Sequence, residues 1–554
     1  MKRWLLQIAA VLLLGQACIA QTAAPHAQRA AAPVPPERLY LIAGTLLDSA
    51  TGAPIPRATV SLVNDQDFTL FRSVQTGDDG KFQFDPMPAG RYGLRAARRG
   101  YMTAFLDEHE EFSSAVVTGD GLDTGSIVFR LNPDAVVRGT VTDDAGEPVP
   151  QAQVLLARKT HNSGRGERLE ETVSGATDDQ GVFEYWNLRP GTYLLAVKAM
   201  PWFALRPSLQ DENRNPQTAA LDVAYPVTYY DGTTDAAAAA PITLAAGDQQ
   251  ELNVSLHAVP ALRLMVRTGA PDSSGRSVPN FPILSQTILG SQMPSFAAPT
   301  QPTTPGLVEL TGIAPGHYSL TAGTPPRISD VDAGGSGSVE VDAATGVPAA
   351  RVTVIPRMAD GSSPPSSLQL MLVSDGPEQR TITGPLLPTG EIRFDAVPPG
   401  SWTLVAQPMA GNQVLDVEAL QTAAGLRAGS RIDVGSHPVR LAAVLARGIT
   451  RVQGIAQKDS KGLPGVMIVL VPDHPEVNWP LFRRDQTDSD GSFNLHDAAP
   501  GRYTVVAIEN GWGMDWARPE VIGRYLPRGQ AVTLNSQSGK AVQLPAPVAV
   551  QPRE

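Results

Sequence analysis

The 554-residue sequence holds a single cysteine, Cys18, which excludes an intrachain disulfide framework and leaves each folded unit to be stabilised by burial. Charge is also scarce: 18% of residues are ionisable, with 44 basic against 55 acidic, and the net −11 opposes a phosphate-binding surface and nucleic acid as main partner. No apolar run approaches the roughly 18 residues of a membrane-spanning helix, and helix-period patterns with caps are almost missing. The eight histidines form neither His-x-x-Glu nor His-Glu-x-x-His, so no zinc peptidase centre is expected. Nucleophile elbows, phosphate loops and dinucleotide fingerprints are absent too. What is plentiful is glycine and proline, 51 and 49 residues, well above the usual share of about 12% yet short of the level of low-complexity disorder. With 42% hydrophobic residues, that excess predicts many turns between real cores.

Lys2 and Arg3 precede an apolar run from Trp4 to Leu14 and the small-residue segment Gly15 to Ala20. This is the pattern of a secretory signal peptide, residues 1–20, with cleavage expected after Ala20. The competing reading makes Cys18 the lipid-modified first residue of a lipoprotein, although Gly15 stands where that signal normally wants Leu. Either way the chain is expected outside the cytoplasm: in the periplasm, on the outer surface or secreted. Cleavage after Ala20 removes the only cysteine and, with Lys2 and Arg3, takes the net charge to −13. Residues 21–37, rich in Ala, Gln and Pro, read as a flexible tether.

Two glycines ten residues apart recur five times: Gly80 and Gly90, Gly181 and Gly191, Gly306 and Gly316, Gly390 and Gly400, Gly491 and Gly501. Large apolar residues sit two and four places after the first glycine, as in Phe183 and Tyr185 or Phe493 and Leu495. After the second comes an alternating set: Tyr92-Leu94-Ala96, Tyr193-Leu195-Val197, Tyr318-Leu320-Ala322, Trp402-Leu404-Ala406 and Tyr503-Val505-Ala507. Spacing of two marks one face of a strand, and these aromatics are assigned to cores. The pattern predicts a β-hairpin with a wide connection, its second glycine completing a Pro-Gly type II turn in four copies. The first glycine closes an Asp-rich turn, as in Asp178-Asp179-Gln180-Gly181. Upstream, three copies carry a strand-turn-strand pattern, such as Gly139-Thr140-Val141 leading to Pro148-Val149-Pro150 and Ala152-Gln153-Val154. Closing strands are expected at Ile127 to Leu131, Glu251 to Leu256, Val339 to Val341, Val439 to Leu441 and Val542 to Leu544.

About seven short strands per unit, over roughly 85–125 residues, predict an all-β chain of five β-sandwiches in a row. The boundaries are placed at 38–134, 135–257, 258–346, 347–446 and 447–548, with 549–554 as a tail; the third and fourth units are degenerate, Arg267 to Pro305 having lost the usual turn. Gly139-Thr140-Val141-Thr142-Asp143 with Gly146, Pro148 and Ala152, then Thr177 to Phe183 and Leu188 to Tyr193, resemble the carboxypeptidase regulatory-like domain. The resemblance is specific in units one, two and five. It implies a transthyretin-like (prealbumin-like) sandwich of about seven strands, grouped with the carbohydrate-binding-like fold, in which the motif residues are turn and core positions.

No catalytic residue, metal or cofactor is expected. His109-Glu110, in the acidic run Asp107 to Glu111, reads as a solvated loop, and Asp488-Ser489-Asp490-Gly491 as a turn in preference to a calcium loop. Aromatics outside the core pattern are the ligand candidates, because sugar rings stack on exposed Trp and Tyr. They are Trp512, Trp516 and Tyr525 in unit five and Trp202, Tyr229 and Tyr230 in unit two, in loops that leave the same end of their sandwiches. The alternative use of these rings is to plug sandwich ends or pack between units. The leading expectation is a non-catalytic extracytoplasmic binding protein for carbohydrate or an envelope protein. A structural or adhesive surface stalk making protein–protein contacts is the second reading, and a peptidase-associated protein the third.

Overall fold

A computed structural model describes residues 38–554 except 65–69, 161–167, 207–219, 269–280, 301–305, 324–325, 335–336, 376–379, 408–414, 448–449 and 536–540. Cys18 and the residues expected as signal peptide and tether, 1–37, lie outside the described residues. The chain is all-β, a tandem array of five sandwiches.

One wiring rule builds every unit. Its first strand is flanked on one side by the strand after the first repeat glycine and on the other by the closing strand. In unit two, Ala135–Thr142 pairs antiparallel with Val182–Leu188 and parallel with Gln249–Glu251 and Val254–Ser255. The equivalent first-to-closing parallel pairs are Ala43–Asp48 with Ile127–Leu131, Leu262–Arg267 with Ser338–Asp342, Ala350–Met358 with Val439–Arg447, and Thr450–Lys458 with Val542–Gln543. The second sheet is built on the strand after the second glycine, as in Gln153–Thr160 against Gly191–Lys198. Inward positions alternate along both sheets: Val137, Val141, Phe183 and Tyr185 from one face Val154, Leu156, Tyr193 and Leu195 from the other in a single core.

The two strands joined by the repeat glycines therefore belong to different sheets. The expected hairpin is an arch between layers: in unit two the strand after the first glycine pairs with Ala135–Thr142 in one sheet, and the strand after the second glycine pairs with Gln153–Thr160 in the other. The second glycines correct the turn type as well. Gly191, Gly316, Gly400 and Gly501 have φ of 156°, 157°, 146° and 157°, too extended for a type II turn, and each opens its strand. The first glycines hold the left-handed conformation expected of them, from 70° at Gly181 to 83° at Gly491.

A hydrogen bond repeats at each arch. The side chain two residues after the second glycine donates to the carbonyl four residues before it: Tyr92 to Pro88, Tyr193 to Arg189, Tyr318 to Ala314, Trp402 to Pro398 and Tyr503 to Ala499, at 2.6–3.1 Å. The ring fills the core while its polar end ties down the arch. Burial pushes the Tyr318 hydroxyl up to about 12 and moves that of Tyr503 in the same direction.

In units one, two and five a buried Thr fixes the upstream turn. Thr76, Thr177 and Thr487 donate to the carbonyls of Ile55, Val149 and Leu463 and accept from the amides of Ala58, Ala152 and Val466. In the third unit the corresponding turn falls on residues 269–280, outside the described residues, and the hairpin Ile283–Ile288 with Ser291–Pro294 matches Gln153–Thr160 with Arg168–Ala176 of unit two. Residues expected as a terminal tail form Val548–Pro552, which pairs in parallel with both Thr450–Lys458 and Gly501–Glu509. Val548 is buried in the unit-five core, and that apolar contact holds the segment as a strand.

Candidate functional site: the junctions between sandwiches

The loops expected to carry ligand chemistry make contacts between units. In unit five, Met467–Pro472 and Gly501–Glu509 bury a second apolar layer outside the sandwich, which Phe482, Met514, Trp516, Ile522 and Tyr525 cover. Trp516 meets the Phe482 edge at 5.4 Å. The Tyr525 hydroxyl accepts from the Glu554 amide and its carbonyl accepts from the Gln551 side chain, so the last strand locks it in place.

Unit one seats on this layer. Its acidic run, read from sequence as solvated, is instead an interface, because its carboxylates meet cations from two other units. Glu108 pairs with Arg189 of unit two at 2.7 Å, and Glu110 with Arg484 of unit five at 2.6 Å. Arg484 is 5% exposed and its guanidinium lies over the rings of Phe112 and Trp516, 4.9 and 4.5 Å from their centroids. The His109 ring stacks on Trp512 at 5.1 Å, within 7° of parallel, and Nδ1 lies 2.9 Å from the Gln486 amide oxygen. Burial pushes the neighbouring Asp107 carboxyl up.

The Asp-rich turn of unit five completes this junction. Asp488 accepts from the Ala115 amide at 2.8 Å and pairs with Arg91, Ser489 Oγ accepts from the Val117 amide, and the Ser489 amide donates to the Ala115 carbonyl. Asp490 does what the sequence asks of a turn Asp, accepting from the Ser492 amide. Among the described residues no group of three or more His, Cys, Asp or Glu is placed to hold a metal ion.

Units four and five meet through Arg483 and Asp416, 2.5 Å apart and buried, and through Trp479 Nε1 and Thr403 Oγ1. Burial pushes the Asp416 carboxyl up against the opposing pull of the guanidinium. Between units two and three, Ile288 and Leu289 at the tip of the hairpin of Ile283–Ile288 and Ser291–Pro294 enter a cluster with Leu155, Ala157, Leu194, Val227 and Tyr229. Beside it, buried Arg263 sits between the carboxylates of Asp222 and Glu309.

Of the six candidate aromatics, the structure thus buries Trp516, Tyr525 and Tyr229 and covers one face of Trp512 with His109. Tyr230 is half-buried against the unit-two core. Packing takes up most of these rings, and of the six Trp202, 79% exposed, is the one turned fully to solvent. Sequence reasoning missed Trp186, 72% exposed. Its signal was legible: an aromatic out of phase with Phe183 and Tyr185 on an alternating strand. Arg484 was missed as well, since its carboxylate partner Glu110 lies 374 residues away.

The architecture defines a tandem array of transthyretin-like sandwiches. Two segments, residues 42–110 and 136–207, in the first two units, match the family model of the carboxypeptidase regulatory-like domain. No curated protein matches the chain significantly. Among solved structures, the Bacillus anthracis TIE protein is similar at 9% identity over 75% of this chain and 76% of its own, with a TM-score of 0.18. A streptococcal ancillary pilin is similar at 9% identity over 73% and 99%, TM-score 0.15. Two B repeat units of the Staphylococcus aureus collagen binding protein are similar at 10% identity over 74% and 100%, TM-score 0.13. At such scores these likenesses carry no argument about function.

Proposed function

We propose that the chain is an exported, non-catalytic scaffold whose five sandwiches are locked together and whose outer surface makes protein–protein contacts at the cell envelope. The observation that carries this reading is the junction of units one and five. Residues with ligand-binding potential are spent there on joining the two ends of the array, which fixes their geometry. This follows the surface-stalk reading, the second of those drawn from the sequence, with the difference that unit one covers a unit-five face that an extended rod would expose.

Contact surface remains on unit two. Val182, Glu184 and Trp186 share the outer face of an edge strand, and a solvated Trp beside an aliphatic side chain is the composition of a protein-binding patch more than of a surface kept free of partners. A photo-cross-linking residue in place of Trp186, in cells, is expected to capture discrete envelope proteins. Glycan retention by the purified protein that is lost in Trp186→Ala and Trp202→Ala, with no protein captured, would contradict the scaffold reading.

A further inference from the structure

Between units two and three lies a narrow cleft that opens to solvent. It carries two cations and, among the described residues, no carboxylate lines it. Lys198 is buried; its ammonium gives one bond to the Pro294 carbonyl and stands 4.3 Å over the Phe296 ring, which leaves further donors of its three unspent. Arg206 crosses from unit two onto unit three. Its guanidinium rests on Gly312, where a Cβ would stand 2.8 Å from Nε, and its polar contact is the Met200 thioether, a weak acceptor and no counter-ion.

A buried ammonium beside a half-exposed guanidinium, with no anion between them, is costly to keep. Elsewhere in the chain cations at junctions have carboxylates, as at Arg263, Arg483 and Arg484. Burial holds both Lys198 and Arg206 below their usual pKa, the direction a missing counter-charge produces. The rest of the lining is largely apolar, with Met200, Tyr225, Phe296 and Ile313 prominent, and exposed Trp202 follows Met200 in sequence, meeting Phe203 edge-on. The Arg263 clamp and the pairing of Val223–Ala224 with Val259–Pro260 hold the two walls in place before any ligand arrives.

We infer that this cleft binds the free terminal carboxylate of a polypeptide whose last residue is large and apolar, Lys198 and Arg206 taking the carboxylate and the aromatic lining the side chain. A sugar acid would leave hydroxyls unpaired against this lining, and an inorganic anion would not use it. The inference goes beyond the scaffold reading and stands without it, since it depends on this cleft and not on the outer face at Trp186.

Fluorescence polarisation of the full chain with amino-terminally labelled peptides tests the proposal. A peptide ending in free Phe is expected to bind, and its carboxamide to bind about tenfold or more weakly. Arg206→Gln, at a half-exposed position, and Lys198→Met should each reproduce that loss while the unfolding midpoint of the Arg206 variant stays at the wild-type value. Equal binding of acid and amide, an unaltered affinity in Arg206→Gln, or no binding at millimolar peptide would overturn it. Competition by 3-phenylpropionate as effective as by the peptide would overturn the polypeptide assignment and identify a small apolar acid instead.

Discussion

Tyr503 shows how much one side chain does in this fold. Its ring is part of the unit-five core and its hydroxyl holds the Ala499 carbonyl at 2.9 Å, a bond repeated in every unit. Tyr503→Phe keeps the ring and removes the donor, so it should cost about 1–2 kcal/mol, read as an earlier urea midpoint for unit five. Thr177 serves two backbone groups in a buried turn, accepting from Ala152 and donating to Val149. Thr177→Val preserves its shape, leaves both groups unpaired and is expected to cost about 2–3 kcal/mol, whereas Thr177→Ser should stay near wild type. Alternation in the sequence was enough to assign Tyr503 to a core. The choice of Tyr or Trp, never Phe, at that position in all five copies was the sign of a donor role, and its acceptor became visible only once the arch was seen.

Strands and turns were legible to different depths. The closing strands are found where alternation places them, Ile127–Leu131 to the residue, because apolar residues two apart report which face is buried. That period does not report which sheet a strand joins. Phe183 and Tyr193 both face the core, and the sequence pattern is the same for a hairpin and for an arch between layers. The parallel pairing of first and closing strands explains the glycine of the Gly-Thr-Val motif. At Gly139 a Cβ would stand 1.8 Å from the Leu252 carbonyl oxygen, and at Gly44 2.2 Å from that of Ile127. Gly139→Ala should therefore force the closing strand away and destabilise unit two by about 2–3 kcal/mol, with faster amide exchange concentrated in residues 249–256. Gly146, with no atom within 4 Å of a Cβ, is strained only by its φ of 79° and should cost about 1 kcal/mol as Ala.

At the scale of the molecule, sequence reading found the units and missed their closure. The acidic run from Asp107 to Glu111 has the composition of a solvated loop; its cations, Arg189 and Arg484, lie in two other sandwiches, and no local pattern links them. The aromatics around Trp512 were conspicuous because they fall outside the repeat, and the structure shows that they fall outside it to build the junction. Arg484→Ala leaves Glu110 without its cation and opens the ring cage. The amides of Ala115 and Val117, which donate to Asp488 and Ser489, should then exchange on the order of a hundredfold faster, while the cores of both units keep their protection.

Closure is the central claim, and small-angle X-ray scattering of the mature chain tests it most directly. A compact chain of about 530 residues has a radius of gyration near 24 Å, and five sandwiches of roughly 34 Å diameter in an extended row would give roughly 50 Å. The joined array predicts about 25–30 Å for the wild type. A radius near that of the extended row would contradict the closed arrangement and return the protein to a stalk.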